Sequence, residues 1–230
     1  MIEKKVIVVV VEGPSEETAI GGILNDFFSS NKIQFRVVRG DITSEKGIKK
    51  TDIKNKVKSL VDDLKNKYGY KDADFFMIIH ITDTDGVFTT NCIKTGEKKG
   101  VQYFEDHIEC QNVTEIKKRN ERKADNLHKL WSSKPCINKI PYYIYYNSCN
   151  LEHVLYGKLR DFSDEEKEEM AYAFADKYDG KLKEFIELIS GKDVAAPGNT
   201  YKETWEFIEK DGNSLKRHSN MYLIFLNKEK

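Results

Sequence analysis

The chain has 230 residues, with 38 Lys plus Arg against 38 Asp plus Glu and a formal net charge of zero at pH 7. That length supports a sizeable core in one domain, or one domain with an appendage, and zero net charge removes whole-molecule steering toward nucleic acid or an anionic membrane. Charged residues make up 33% and aromatics 11%, a globular rather than a disordered composition, and no apolar run approaches the ~20 residues of a membrane helix.

Val6 to Val11 is apolar and β-branched throughout. Such a run without alternation predicts a strand buried on both faces, as in a parallel sheet. Lys4 and Lys5 before it superficially suggest a secretion signal, but the run is short, meets Glu12 and has no small-residue cleavage site. The expectation is a cytoplasmic protein. The four cysteines form no CxxC pair and the five histidines no HxxxH, which predicts free thiols in a reducing compartment and argues against zinc.

Ser15 is placed to cap a first helix, in which Ala19, Ile20, Ile23, Leu24, Phe27 and Phe28 recur at helical spacing. A second strand is expected over 33–38. An amphipathic helix follows, marked by Ile53, Val57, Leu60, Val61, Leu64 and Tyr68, and a third strand runs from Phe75 to Ile81. The polar stretch with Gly96 and Gly100 reads as a long loop. Val113, Ile116, Ala124, Leu127 and Trp131 mark a third helix, and Ile140 to Tyr146 a fourth strand. This alternation predicts an α/β fold, an open, mainly parallel four-stranded sheet with helices on both faces, over residues 1–155.

Residues 156–230 are expected to form a small, mainly helical C-terminal extension packed on that sheet. Ser163 and Glu166 form a capping box, Gly191 to Asn199 is a loop, and "MYLIFL" at 221–226 is a buried element of open type.

Ligands of an open parallel sheet bind beyond the carboxyl ends of its strands. Glu12 follows the first strand, and Asp83 and Asp85 follow the third. Separated by one residue, the two aspartates point the same way if the chain there is extended. Carboxylates gathered on one edge repel each other unless a cation lies between them, and hard oxygen donors suit magnesium, which takes one or two carboxylates and keeps several waters. Gly13 and Gly86 allow sharp turns and leave room for a phosphate.

"VVVVEGPSEE" followed by "IIHITDTDG" resembles the Toprim domain of topoisomerases, primases and overcoming-lysogenisation-defect nucleases. The resemblance covers roughly residues 5 to 155. It implies a Toprim/Rossmann-like sheet, Glu12 as general acid or base and possible metal ligand, and Asp83 and Asp85 as ligands of Mg2+ (or Mn2+). "YYNSCNLEHVLYGKL" at 145–159 looks like the strand-then-acidic-helix element of RloB-like Toprim proteins, with Glu152 at the acidic position as a further candidate metal ligand. The chain is too small for the rest of a topoisomerase or primase. The resemblance therefore implies a stand-alone, magnesium-dependent nuclease of the kind associated with phage defence or mobile elements.

Other readings of the same residues stay open. Glu16 and Glu17 suit the first turn of a helix, Glu152 a helix terminus behind Asn150, and "DTDG" a tight turn. The run "KKRNERK" at 117–123 offers Lys118, Arg119, Arg122 and Lys123 as a local nucleic-acid patch, although interleaved acids also make it a solvated helix face. "LKRHSN" at 215–220 is a second basic candidate, and the tyrosines of 142–146 read as core. "ITDTDGVF" also looks like the first motif of haloacid-dehalogenase phosphatases, with Asp83 as nucleophile and Asp85 as acid/base. That motif usually lies on the first strand, and Glu12 would then have no role. A non-catalytic binding module on the same scaffold is the third alternative.

Overall fold

A computed structural model describes residues 5–29, 31–37, 41–89, 91–210 and 212–226. In chain order the elements are β1 (Val6–Val11), α1 (Pro14–Phe27), β2 (Lys32–Val37), α2 (Ile53–Tyr68), β3 (Phe75–Asp83), β4 (Ile93–Thr95), β5 (Val101–Tyr103), β6 (Ile108–Cys110), α3 (Val113–Ser132), β7 (Cys136–Ile137) and β8 (Ile140–Asn147). They are followed by α4 (Leu151–Tyr156), α5 (Asp164–Tyr178), α6 (Leu182–Ser190), α7 (Tyr201–Ile208) and α8 (Leu223–Leu226). Val38 of the expected second strand lies outside the described residues.

The main sheet has five strands in the order β2-β1-β3-β8-β7. The first four run parallel, and β7 pairs antiparallel with β8 at one edge, so the sheet is mixed rather than a purely parallel four-stranded one. The two-residue β7 is too short to leave any periodic signal in the sequence.

Every side chain of β1 is buried, and the strand alternates between two cores. Val6, Val8 and Val10 meet Val57 and Val61 of α2, Leu127 and Leu130 of α3, and Trp205 and Ile208 of α7. Ile7, Val9 and Val11 meet Ile20 and Leu24 of α1, Phe174 of α5, Phe185 of α6 and Ile224 of α8. Covering both faces is what selects an unbroken apolar run, since each fully buried side chain of this size is worth ~1.5–3 kcal/mol. Residues after 156 thus contribute to both cores, with α5 lying against α1.

The stretch between β3 and α3, expected as a loop, contains a second, three-stranded sheet in the order β4-β6-β5. It closes a small core of Ile93, Ile108 and Cys110 with Cys149 and Leu215. The first helix begins at Pro14 behind Gly13, one residue before Ser15. Glu16 Oε2 accepts from the Gly13 N–H at 3.0 Å and from Ser15 Oγ at 3.2 Å, so the carboxylate rather than the serine serves the helix start. The capping box at α5 forms as expected, with the Glu166 N–H donating to Ser163 Oγ and the Ser163 N–H to Glu166 Oε2.

Candidate functional site

Glu12 is the first residue past β1, and Asp83 is the last of β3. Because β1 and β3 are neighbours, the two acids come to the same edge of the sheet. Glu12 Oε1 accepts from Thr82 Oγ1 at 2.7 Å and from the Asp83 backbone N–H at 3.1 Å. The two separated acidic motifs are therefore one hydrogen-bonded unit. On the other side Asn147, which ends β8 opposite Asp83, donates through Nδ2 to Asp83 Oδ1 at 3.4 Å.

Beyond Asp83 the backbone turns instead of staying extended. Asp85 lies at φ 49° and Gly86 at φ 64°. The Thr84 and Asp85 N–H groups donate to the carbonyls of Asn147 and Cys149, both at 2.9 Å. Short polar side chains tolerate this left-handed region, and glycine favours it. In consequence the two aspartates do not share one extended face: Asp83 stays beside Asn147, while Asp85 reaches across to α3. The space at Gly86 is not open to a phosphate. A Cβ there would stand 2.6 Å from Leu215 Cδ2 and 3.1 Å from Ile108 Cδ1.

Asp85 meets Lys123, which is not a surface cation. Its side chain is 0% exposed, and its Nζ lies 2.6 Å from Asp85 Oδ2, 2.7 Å from Asp41 Oδ2 and 3.8 Å from Glu12 Oε1. Lys123 therefore leaves the expected nucleic-acid patch and becomes the internal countercharge of the acidic edge. A lysine is rarely buried unless paired, and three carboxyl groups supply the pairing. The sequence carries a signal for this: Ile116, Asn120, Lys123, Leu127 and Leu130 recur at alternating spacings of four and three, one face of a helix. Asp41, missed from the sequence, sits after β2 on the same edge. Its Oδ1 accepts from the N–H and Oγ1 of Thr43, at 2.7 and 2.5 Å.

The other basic residues of the run part company. Arg119 is half-buried and donates through Nη2 to the Asp85 carbonyl at 3.3 Å, and through Nε and Nη2 to Asn120 Oδ1. Arg122 donates through Nε to the Ser44 carbonyl at 2.8 Å. Lys118 is exposed. Glu152 is the second residue of α4 and only 6% exposed. Burial raises its carboxyl, opposed by the charge of Lys167.

Electrostatics divides the edge into two flanks. On one, burial pushes the Glu12 carboxyl up to about 8, with Lys123 pulling it down and Asp41 and Asp85 adding to the rise. Burial also acts upward on Asp41, but there the Lys123 charge and the hydrogen bonds from Lys123 and Thr43 win and carry it down to about 2. Burial disfavours the charge on Lys123, yet Asp41, Asp85 and Glu12 hold its pKa well above the ordinary range. On the other flank, burial first, then the charges of Glu12, Glu16 and Glu152, raise Asp83 well above the usual carboxylate range.

The donors gathered here are all oxygens, the set that a hard divalent cation takes. Among the described residues, no three acids, histidines or cysteines close on one point, and the position between Glu12, Asp41 and Asp85 is held by the Lys123 ammonium. The set fits an ion bound by one or two carboxylates and water, not an all-protein cage. No helix among the described residues is long and apolar enough to cross a membrane. Comparison with protein-family models, with curated proteins and with solved structures gives no match.

Proposed function

We propose that the chain is a magnesium-dependent phosphodiesterase acting on nucleic acid, a nuclease of the Toprim type that its two acidic motifs resemble. One observation carries the reading: Glu12, at the end of β1, accepts a hydrogen bond from the backbone of Asp83, at the end of the neighbouring β3. A phosphatase with Asp83 as nucleophile and Asp85 as acid/base gives Glu12 no task, whereas a Toprim-type site requires both acids.

Asp83, with Asp85 or Glu12, would hold Mg2+ or Mn2+ through one or two carboxylates, and Glu152 would lie behind Asp83. The ion would polarise the phosphoryl oxygens and favour ionisation of a bound water. Glu12 is suited to moving the proton, because a carboxyl held near 8 can take up and give back a proton close to neutral pH. Lys123 holds Asp85 and Asp41 in place without solvent between them. A place in phage defence or on a mobile element belongs to the same proposal.

The test is cleavage of labelled single- and double-stranded DNA and RNA, with magnesium, with manganese and with chelator. Cutting that needs the ion and is abolished in Glu12→Gln supports the reading. A silent Glu12→Gln, together with hydrolysis of a phosphate monoester through a covalent adduct on Asp83, overturns it in favour of a phosphatase.

A further inference from the structure

A cavity of about 660 Å³ opens between the 41–48 loop and the first half of α3. Ser44, Thr114, Lys118, Arg119 and Arg122 line it, and the Lys46–Glu115 ion pair stands on its wall. Among the described residues Glu115 is the sole acid of the lining, and it is paired with Lys46 at 3.0 Å. Arg122 is fixed by one bond from Nε to the Ser44 carbonyl, and among the described residues its two terminal nitrogens and the Lys118 ammonium meet no acid. Arg119 ties the cavity to the acidic turn through the Asp85 carbonyl.

We infer that this cavity seats the sugar–phosphate backbone of single-stranded nucleic acid beside the phosphate to be cut. The inference rests on the nuclease reading for that last position, but its binding chemistry stands on the cavity itself. Two cations without acidic partners, with the hydroxyls of Ser44 and Thr114, are groups that take phosphate oxygens. The volume falls in the ~300–1,000 Å³ range of small-ligand pockets, which suits a short length of one strand and is too small for a duplex. Among the described residues no aromatic ring lines the cavity to stack a base, so backbone contacts dominate. Recognition is then independent of sequence and steeply dependent on salt.

The experiment is fluorescence anisotropy of a labelled single-stranded oligonucleotide in chelator, where nothing is cut, across a salt series. The intact chain should bind single strand better than duplex of the same length. Lys118→Ala/Arg122→Ala should bind at least ~10-fold more weakly and flatten the plot of log affinity against log salt by about 1.4, two phosphate contacts at ~0.7 each. Arg122→Gln alone should give about half the change in slope. Lys183→Ala/Lys202→Ala, on exposed faces of α6 and α7, should bind as the intact chain does. Unchanged affinity and slope in both the double variant and Arg122→Gln, with melting temperatures intact, overturn the inference, as does equal binding of duplex. Glu12→Gln separates the two proposals: normal salt-dependent binding with no cutting in any variant sinks the nuclease and leaves the cavity. Glu12-dependent cutting with unaltered binding in the double variant does the reverse.

Discussion

Replacing Lys123 by methionine removes a buried ammonium and keeps most of the side chain's length. Asp41, Asp85 and Glu12 then face one another without the ammonium that lies 2.6 to 3.8 Å from them. Removing one member of a buried ion cluster costs roughly 3–5 kcal/mol, because the remaining charges stay desolvated. In a chain of this length, with ~2–4 °C lost per kcal/mol, the melting temperature should fall by roughly 6 to 20 °C. Adding Asp41→Asn should return a large part of the loss, and the shortfall from additivity measures the pair. The assay is thermal and urea unfolding of the four proteins of that cycle at neutral pH and moderate salt. A loss below ~1 kcal/mol is what an exposed pair is worth and would refute a buried network centred on Lys123.

Three further outcomes follow from the same geometry. Glu12 carries a raised pKa, so the folded state holds a proton that the unfolded chain releases near 4.5. Stability from this group is greatest below 4.5 and declines as the pH rises to about 8. Glu12→Gln should flatten that decline and melt several degrees above the intact chain at pH 8, and unfolding curves against pH that superimpose would contradict it. For an ion bound with a dissociation constant of ~1 mM, ~10 mM magnesium should stabilise the chain by about 1.4 kcal/mol, a melting shift of roughly 3 to 6 °C. Asp83→Asn should melt higher without metal and lose most of that shift, with sodium chloride at matched ionic strength as the control; equal shifts would place the ion elsewhere. Gly86→Ala combines φ 64° with a Cβ 2.6 Å from Leu215 Cδ2, so it should cost at least ~1–3 kcal/mol and disturb the acidic turn, whereas Gly47→Ala, with open space around it, should lack the steric part of that cost.

How much of this was legible in the sequence depended on what each segment buries. Val6 to Val11 and Phe75 onward could be read because both faces of each strand are covered, which leaves an unbroken apolar run. Strands of two or three residues, such as β4 to β7, bury too little to impose a period, so β4 to β6 lay hidden in an expected loop and β7 left no signal. Glu12 and the two aspartates stood out because carboxylates interrupting an apolar strand have no packing reason to be there. Their division of labour did not, since it depends on Asp85 adopting a left-handed backbone fixed by the Cys149 carbonyl, a contact across 64 residues of chain. Lys123 was hidden by its neighbours. Within "KKRNERK" it reads as one more surface cation, and only the inner stripe from Ile116 to Leu130 distinguishes it.

A buried lysine among three carboxyl groups is a poor device for stability. Well-packed apolar side chains of similar volume commonly equal or exceed such a cluster by 1–4 kcal/mol. Rule-breaking of this kind is tolerated where it does something else, and it tends to gather at functional sites. Here the cost falls at one place, the carboxyl ends of β1 and β3, where Asp83 also sits with its carboxyl desolvated against Glu12, Glu16 and Glu152. The same edge is joined through the Asp85 carbonyl to a cavity where, among the described residues, Lys118 and Arg122 meet no acid. Surface solubility needs none of these features, and core packing is supplied by the valines of β1 and the aromatic rings behind them. The proposed phosphodiesterase gives all three a task toward phosphate: carboxylates that would hold a divalent ion, a carboxyl that would exchange its proton near neutral pH, and cations that would meet the backbone beside the bond to be broken.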